Sequence, residues 1–112
     1  MRFSFSQQGA VNVVQIEGAM TTCDLKPLAE ALRSKSECGQ PRLLMDLSAV
    51  PTVDSATLEM LVETQETCRR RNGVLKLTGL NSLCREVLAV TGLERRFELF
   101  DNQLTALGSF AT

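Results

Sequence analysis

The order of apolar patterns along the chain predicts an α/β domain, with a mixed central β-sheet of about five strands and about four α-helices. Three observations carry that expectation. Short strand-like runs alternate with segments of helical periodicity, the mark of strand–helix–strand units closed by right-handed crossovers. The run Arg42 to Leu47 contains an unbroken Leu43-Leu44-Met45, which fits a strand buried on both faces. A length of 112 residues suits one domain, here taken as residues 1–112, with a single two-layer core.

Each element follows from local chemistry. Phe3 and Phe5 alternate with polar residues as a first strand; Gln8-Gly9 turns into a second, Val11 to Ile16, and the two predict a hairpin. Gly18-Ala19-Met20-Thr21-Thr22 is a connection, after which Leu25, Leu28, Ala29 and Leu32 recur at helical spacing. Pro27 suits the first turn of that helix, and Cys38-Gly39-Gln40-Pro41 closes it. The strand Arg42 to Leu47 leads to a second helix, expected from about Asp54 to Asn72. Leu58, Leu61, Val62, Gln65 and Cys68 form its inner stripe, and Gly73 is expected to end it. Val74 to Thr78 is a strand with Gly79 as its turn. Asn81 or Ser82 caps a third helix with Leu83, Val87 and Leu88 facing in, stopped at Gly92. Phe97 to Phe100 is the last strand, and Asp101 is expected to cap a helix carrying Leu104, Leu107 and Phe110.

Composition excludes several functions. The chain is 44% hydrophobic and 22% charged, ordinary for a globular protein, with net charge −1. A pI near 5.4 provides no broad field to attract nucleic acid or an anionic membrane. Histidine, tryptophan and tyrosine are absent, which removes the usual general base and weakens any stacking platform. Cys23, Cys38, Cys68 and Cys84 form no C-x-x-C pair. Met1-Arg2-Phe3-Ser4-Phe5-Ser6-Gln7 lacks the apolar region of a signal peptide. These features predict reduced thiols, a cytoplasmic location and no membrane insertion, since no apolar run has the length of a span.

The candidate site is the stretch that joins the buried strand to the second helix. Asp54-Ser55 opens that helix, placing a hydroxyl and a carboxylate at the positive end of its dipole. Either side chain can cap the first turn; a serine there can also accept a phosphoryl group at little cost to its own helix. Asp46, at the end of the strand, is expected to hydrogen-bond backbone in the turn. Asp46 with Asp54 has no third ligand in sequence to make a metal site, and no cofactor is implied. Thr21 and Thr22 cap the following helix or lend a second hydroxyl. Arg69-Arg70-Arg71 and Arg95-Arg96 suit solvated ends. Ser55 has no histidine to activate it, so the chain is not expected to be an enzyme.

The run Leu44-Met45-Asp46-Leu47-Ser48-Ala49-Val50 followed by Val53-Asp54-Ser55-Ala56 resembles the central motif of STAS domains. Gly18, the strand Gly73 to Gly79, Val87-Leu88 to Gly92-Leu93 and Phe97 to Asp101 extend the resemblance over nearly the whole chain. In the bacterial anti-sigma factor antagonists of that family, the serine is phosphorylated by a kinase that is also the anti-sigma factor. The resemblance therefore implies a signalling protein of bacterial type whose phosphoacceptor is Ser55. The implied partner is an anti-sigma factor with serine kinase activity, released on phosphorylation. The implied contact surface comprises Asp54, Ser55, Ala56, Thr57 and Leu58, with Thr21 and Thr22. Thr57 stands where the family commonly has glycine, and a β-branched residue there is expected to fill space left for a partner's backbone. Two alternatives share the surface: an accessory subunit on the ATPase of a bacterial lipid-type transporter, and a subunit of a larger STAS sensory assembly.

Overall fold

Gly9, at a left-handed φ of 64°, makes the first turn and folds β1 (Arg2–Gln8) back on β2 (Val11–Glu17). The computed structural model describes residues 2–19, 25–37 and 39–110. Helix α1 (Leu25–Ser36), β3 (Arg42–Ala49), α2 (Ser55–Arg70), β4 (Val74–Thr78), α3 (Ser82–Thr91), β5 (Glu98–Phe100) and α4 (Gln103–Ser109) follow in order, with a short 3-10 turn at Leu93–Arg95. The strands form one sheet in the order β1-β2-β3-β4-β5; β1 runs antiparallel to β2, and the three remaining pairings are parallel. This is the mixed five-stranded sheet expected.

The pleat assigns each strand residue to one of two cores. Val14, Ile16, Leu43, Met45, Leu47, Leu75 and Leu77 meet α1, α2 and α3 in the larger cluster. Val11, Val13 and Leu44 point the other way, onto Ala106 of α4, with Phe100, Leu107 and Phe110 at the margin. The unbroken Leu43-Leu44-Met45 run is thus explained: β3 is central and feeds both cores.

Four expectations are corrected. Leu83 is 51% exposed and Leu104 83% exposed, whereas Cys84 and Ala106 are fully buried. The buried positions of α3 and α4 are thus offset from the leucines that the sequence pattern singled out. Asn102, not Asp101, caps α4 by accepting from the Thr105 amide, and Asp101 pairs with Arg85 at 2.8 Å. The α2 helix ends at Arg70, and Asn72 rather than Gly73 takes the left-handed turn, at φ 58°. Gly73 is required for a different reason: a Cβ there would lie 2.1 Å from the Pro41 carbonyl oxygen, which accepts from the Val74 amide at 2.9 Å. Finally, β3 extends two residues past Leu47 to Ala49, and the last strand starts at Glu98, with Phe97 buried just before it.

Candidate functional site

The buried strand β3 fixes where the second helix begins. Past its end, Val50 and Val53 are buried anchors, and the Val50 amide donates to the Leu47 carbonyl at 3.0 Å. The loop between them is also held from α3. Asn81 caps that helix, its Oδ1 accepting from the Cys84 amide at 2.8 Å. Its Nδ2 donates to the Val50 and Pro51 carbonyls at 3.3 and 3.0 Å. One side chain therefore closes a helix end and ties it to the loop that presents the site. The capping role of Asn81 was legible in sequence; its reach across 30 residues to Pro51 was not.

Asp54 is the N-cap of α2, in extended backbone at φ −110° and ψ 179°. Its Oδ1 accepts from the Thr57 amide at 2.9 Å and from the Thr57 hydroxyl at 2.8 Å. Ser55, the first residue of α2, is exposed. Ala56 is half-buried against the larger core, while Thr57 is 0% exposed and Leu58 6% exposed. The five-residue segment is thus divided: Ser55 faces solvent, and Thr57 and Leu58 face the interior. Thr57, expected to fill space at the surface, is instead fully buried, with its hydroxyl donating to Asp54. Thr21 and Thr22 lie outside the described residues.

Asp46 does hydrogen-bond backbone, its Oδ1 accepting from the Ser48 amide at 3.0 Å; its Oδ2 accepts from Gln103 Nε2 at 3.1 Å. Among the described residues no three side chains of metal-binding type cluster together. Arg69, Arg70 and Arg71 are exposed at the opposite end of α2 from Ser55, and Arg96 pairs with Glu66 at 3.1 Å. Cys68 and Cys84 are buried free thiols; burial pushes Cys68 up to about 11 and raises Cys84 from its ordinary value. Neither is a reactive nucleophile at neutral pH. No helix among the described residues is long and apolar enough to cross a membrane.

Chemically, the arrangement offers an accessible hydroxyl at the positive end of a 16-residue helix. The carboxylate next to it is occupied as a cap. That hydroxyl can receive an anionic group that the helix end stabilises.

Comparison with known proteins places this geometry among relatives. The family described as "Mlab, STAS domain" matches residues 3–104. BtrV of Bordetella bronchiseptica, named provisionally as an anti-sigma factor antagonist, is 21% identical over 112 residues, covering 100% of this chain and 97% of its own. The crystal structure of an anti-sigma factor antagonist from Mycobacterium paratuberculosis superposes with a TM-score of 0.89 at 24% identity, over 99% of this chain and 94% of that one. The antagonist SpoIIAA in its unphosphorylated form gives 0.86 at 12% identity, over 98% and 96%. The phosphorylated form of SpoIIAA, a Bacillus cell fate determinant, gives 0.79 at 12% identity, over 97% and 99%. At these identities the structural matches establish the fold.

Proposed function

From the premise that this chain belongs to the STAS domain family, which it matches over residues 3–104, we propose that it is an anti-sigma factor antagonist switched off by phosphorylation of Ser55. The observation that carries the reading is the exposed Ser55 hydroxyl at the start of α2, beside a carboxylate already committed to capping. The names of the relatives support the class of partner: BtrV and the Mycobacterium protein are named as antagonists, and SpoIIAA is known in both phosphorylation states. The partner is an anti-sigma factor with serine kinase activity, which docks over Ser55.

The chemistry is transfer of the γ-phosphoryl group of ATP to Ser55 Oγ, the hydroxyl proton leaving to a base on the kinase. The product carries close to two negative charges, and the helix end stabilises them. The antagonist therefore keeps its fold. Its partner, pressed against the same spot, must desolvate or repel that charge, at a cost of about 2–5 kcal/mol. Affinity then falls by roughly 30- to 5,000-fold, enough to end the complex.

Incubation with the cognate kinase and ATP should add one phosphoryl group by intact mass, mapped to Ser55 and missing from Ser55→Ala. An unchanged mass, or a phosphate mapped to another residue, overturns the switch. Co-purification tests the partner: recovery of an ATP-binding serine kinase supports the reading. Recovery of a transporter-type ATPase, bound equally by Ser55→Ala, replaces it with the transport-accessory role.

A further inference from the structure

The sheet has two edges of very different character. Edge strand β5 spans three residues, Glu98–Phe100, and is protected by its shortness. Edge strand β1 spans seven, Arg2–Gln8, and pairs with β2 in unbroken register from Arg2↔Glu17 to Gln8↔Val11. It contains no proline, no lysine and no bulge, the devices that usually blunt an edge; Arg2 at one end is its single charge.

The turn fixes which groups this edge leaves open. Gly9 and Ala10 form a two-residue hairpin loop with the positive φ at its first position, so Gln8 and Val11 are the closing hydrogen-bonded pair. Alternation then directs the backbone groups of Arg2, Ser4, Ser6 and Gln8 to β2. Those of Phe3, Phe5 and Gln7 point away from the sheet.

This outward pattern is self-complementary. Two antiparallel copies of β1 with Phe5 on the two-fold axis place Phe5 opposite Phe5, Phe3 opposite Gln7, Ser4 opposite Ser6 and Arg2 opposite Gln8. Within the paired β1 strands no like charges meet, and all outward donors and acceptors find partners. Phe3 and Phe5 are only half-buried, in an edge-to-face pair with centroids 6.1 Å apart. Apposition across the axis would finish covering them. We propose that β1 is the interface of a homodimer, in which two copies join edge to edge into one continuous ten-stranded sheet about Phe5. Lys35 sits over each Phe5 ring, 5.5 Å from its centroid. Two ammonium groups therefore flank the axis and weaken the association. Ser55 follows β3, two strand spacings from this edge, so the dimer presents two free acceptor sites. The inference does not depend on their being phosphorylated.

The test is sedimentation equilibrium of the whole chain up to about 1 mM, combined with residue-resolved amide exchange. A dimer should form with concentration, and the Phe3, Phe5 and Gln7 amides should gain protection as it does. Gln7→Pro deletes one outward N–H without touching the β1–β2 ladder, and should weaken the dimer about tenfold or more. If that variant fails to fold, exchange in the unaltered protein decides alone. A monomer at the highest concentration overturns the proposal. So does a dimer in which those three amides stay unprotected or which Gln7→Pro leaves intact.

Discussion

Asp54 carries two tasks with one oxygen, since Oδ1 accepts from both the amide and the hydroxyl of Thr57. Asp54→Ala should therefore cost about 1–2 kcal/mol in urea unfolding, at the upper end for a cap. Ser55→Ala, which removes only a solvent-facing hydroxyl, should fall within about 0.5 kcal/mol of the parent. A second residue-scale prediction concerns pH. The Cys68 thiol is held near 11 against an ordinary 9.0, so the folded state keeps its proton where the unfolded state has lost it. Stability from this group is complete below pH 9 and declines as pH rises toward 11, by roughly 3 kcal/mol in all. Urea titrations at pH 8 and 10.5 should show a drop that is smaller in Cys68→Ala. Thr57 is the residue whose meaning changed most between sequence and structure. Its identity as a β-branched residue was plain, but only its burial in the folded chain reveals that it braces Asp54.

At the scale of elements, α4 is seven residues long and cannot stand alone. Its anchor is Lys76, in the middle of β4 and 8% exposed. The ammonium donates to Ser109 Oγ at 2.8 Å, pairs with Glu98 at 2.9 Å, and lies 4.4 Å from the Phe110 ring centroid and 5.6 Å from that of Phe100. Glu98 is well exposed, so solvent screens the ion pair, and the aromatic and hydroxyl contacts carry more of the effect. Lys76→Ala should cost about 2–3 kcal/mol and speed amide exchange in Gln103–Ser109, whereas Lys76→Met, which keeps the stem packed, should cost about 1. Nothing in the pattern Val74-Leu75-Lys76-Leu77-Thr78 signalled this. A lone lysine in an apolar strand reads as an outward residue until a helix is known to cover that face. Gly73 teaches the same lesson. Helix punctuation explained a glycine after α2, but the contact with Pro41 makes it obligatory. Gly73→Ala should destabilise by roughly 3 kcal/mol through steric overlap with a backbone oxygen that cannot move aside.

For the whole molecule, the sheet places the site at the carboxyl ends of its parallel strands, where β3 feeds α2 and the Asn81 side chain couples α2's loop to α3. A phosphoryl group on Ser55 should therefore perturb amide shifts at the start of α2 and around Asn81. The β1–β2 hairpin and α4 should be unaffected; shifts spread through the sheet would mean that the switch works by refolding rather than by local charge.

The sequence by itself determined the order of elements, the mixed sheet, the two-faced burial of β3 and the Asp54-Ser55 helix start. Each of these follows from periodicity, turn chemistry and capping, which act within a few residues of one another. Tertiary structure decided the rest: that Leu83 and Leu104 face water while Cys84 and Ala106 do not, that Thr57 turns in and Ser55 out, and that Lys76 lies beneath α4. Those outcomes depend on which side of each helix is covered and on which segment packs over which face. Both are set by contacts between residues far apart in the chain, and local preference carries no record of them.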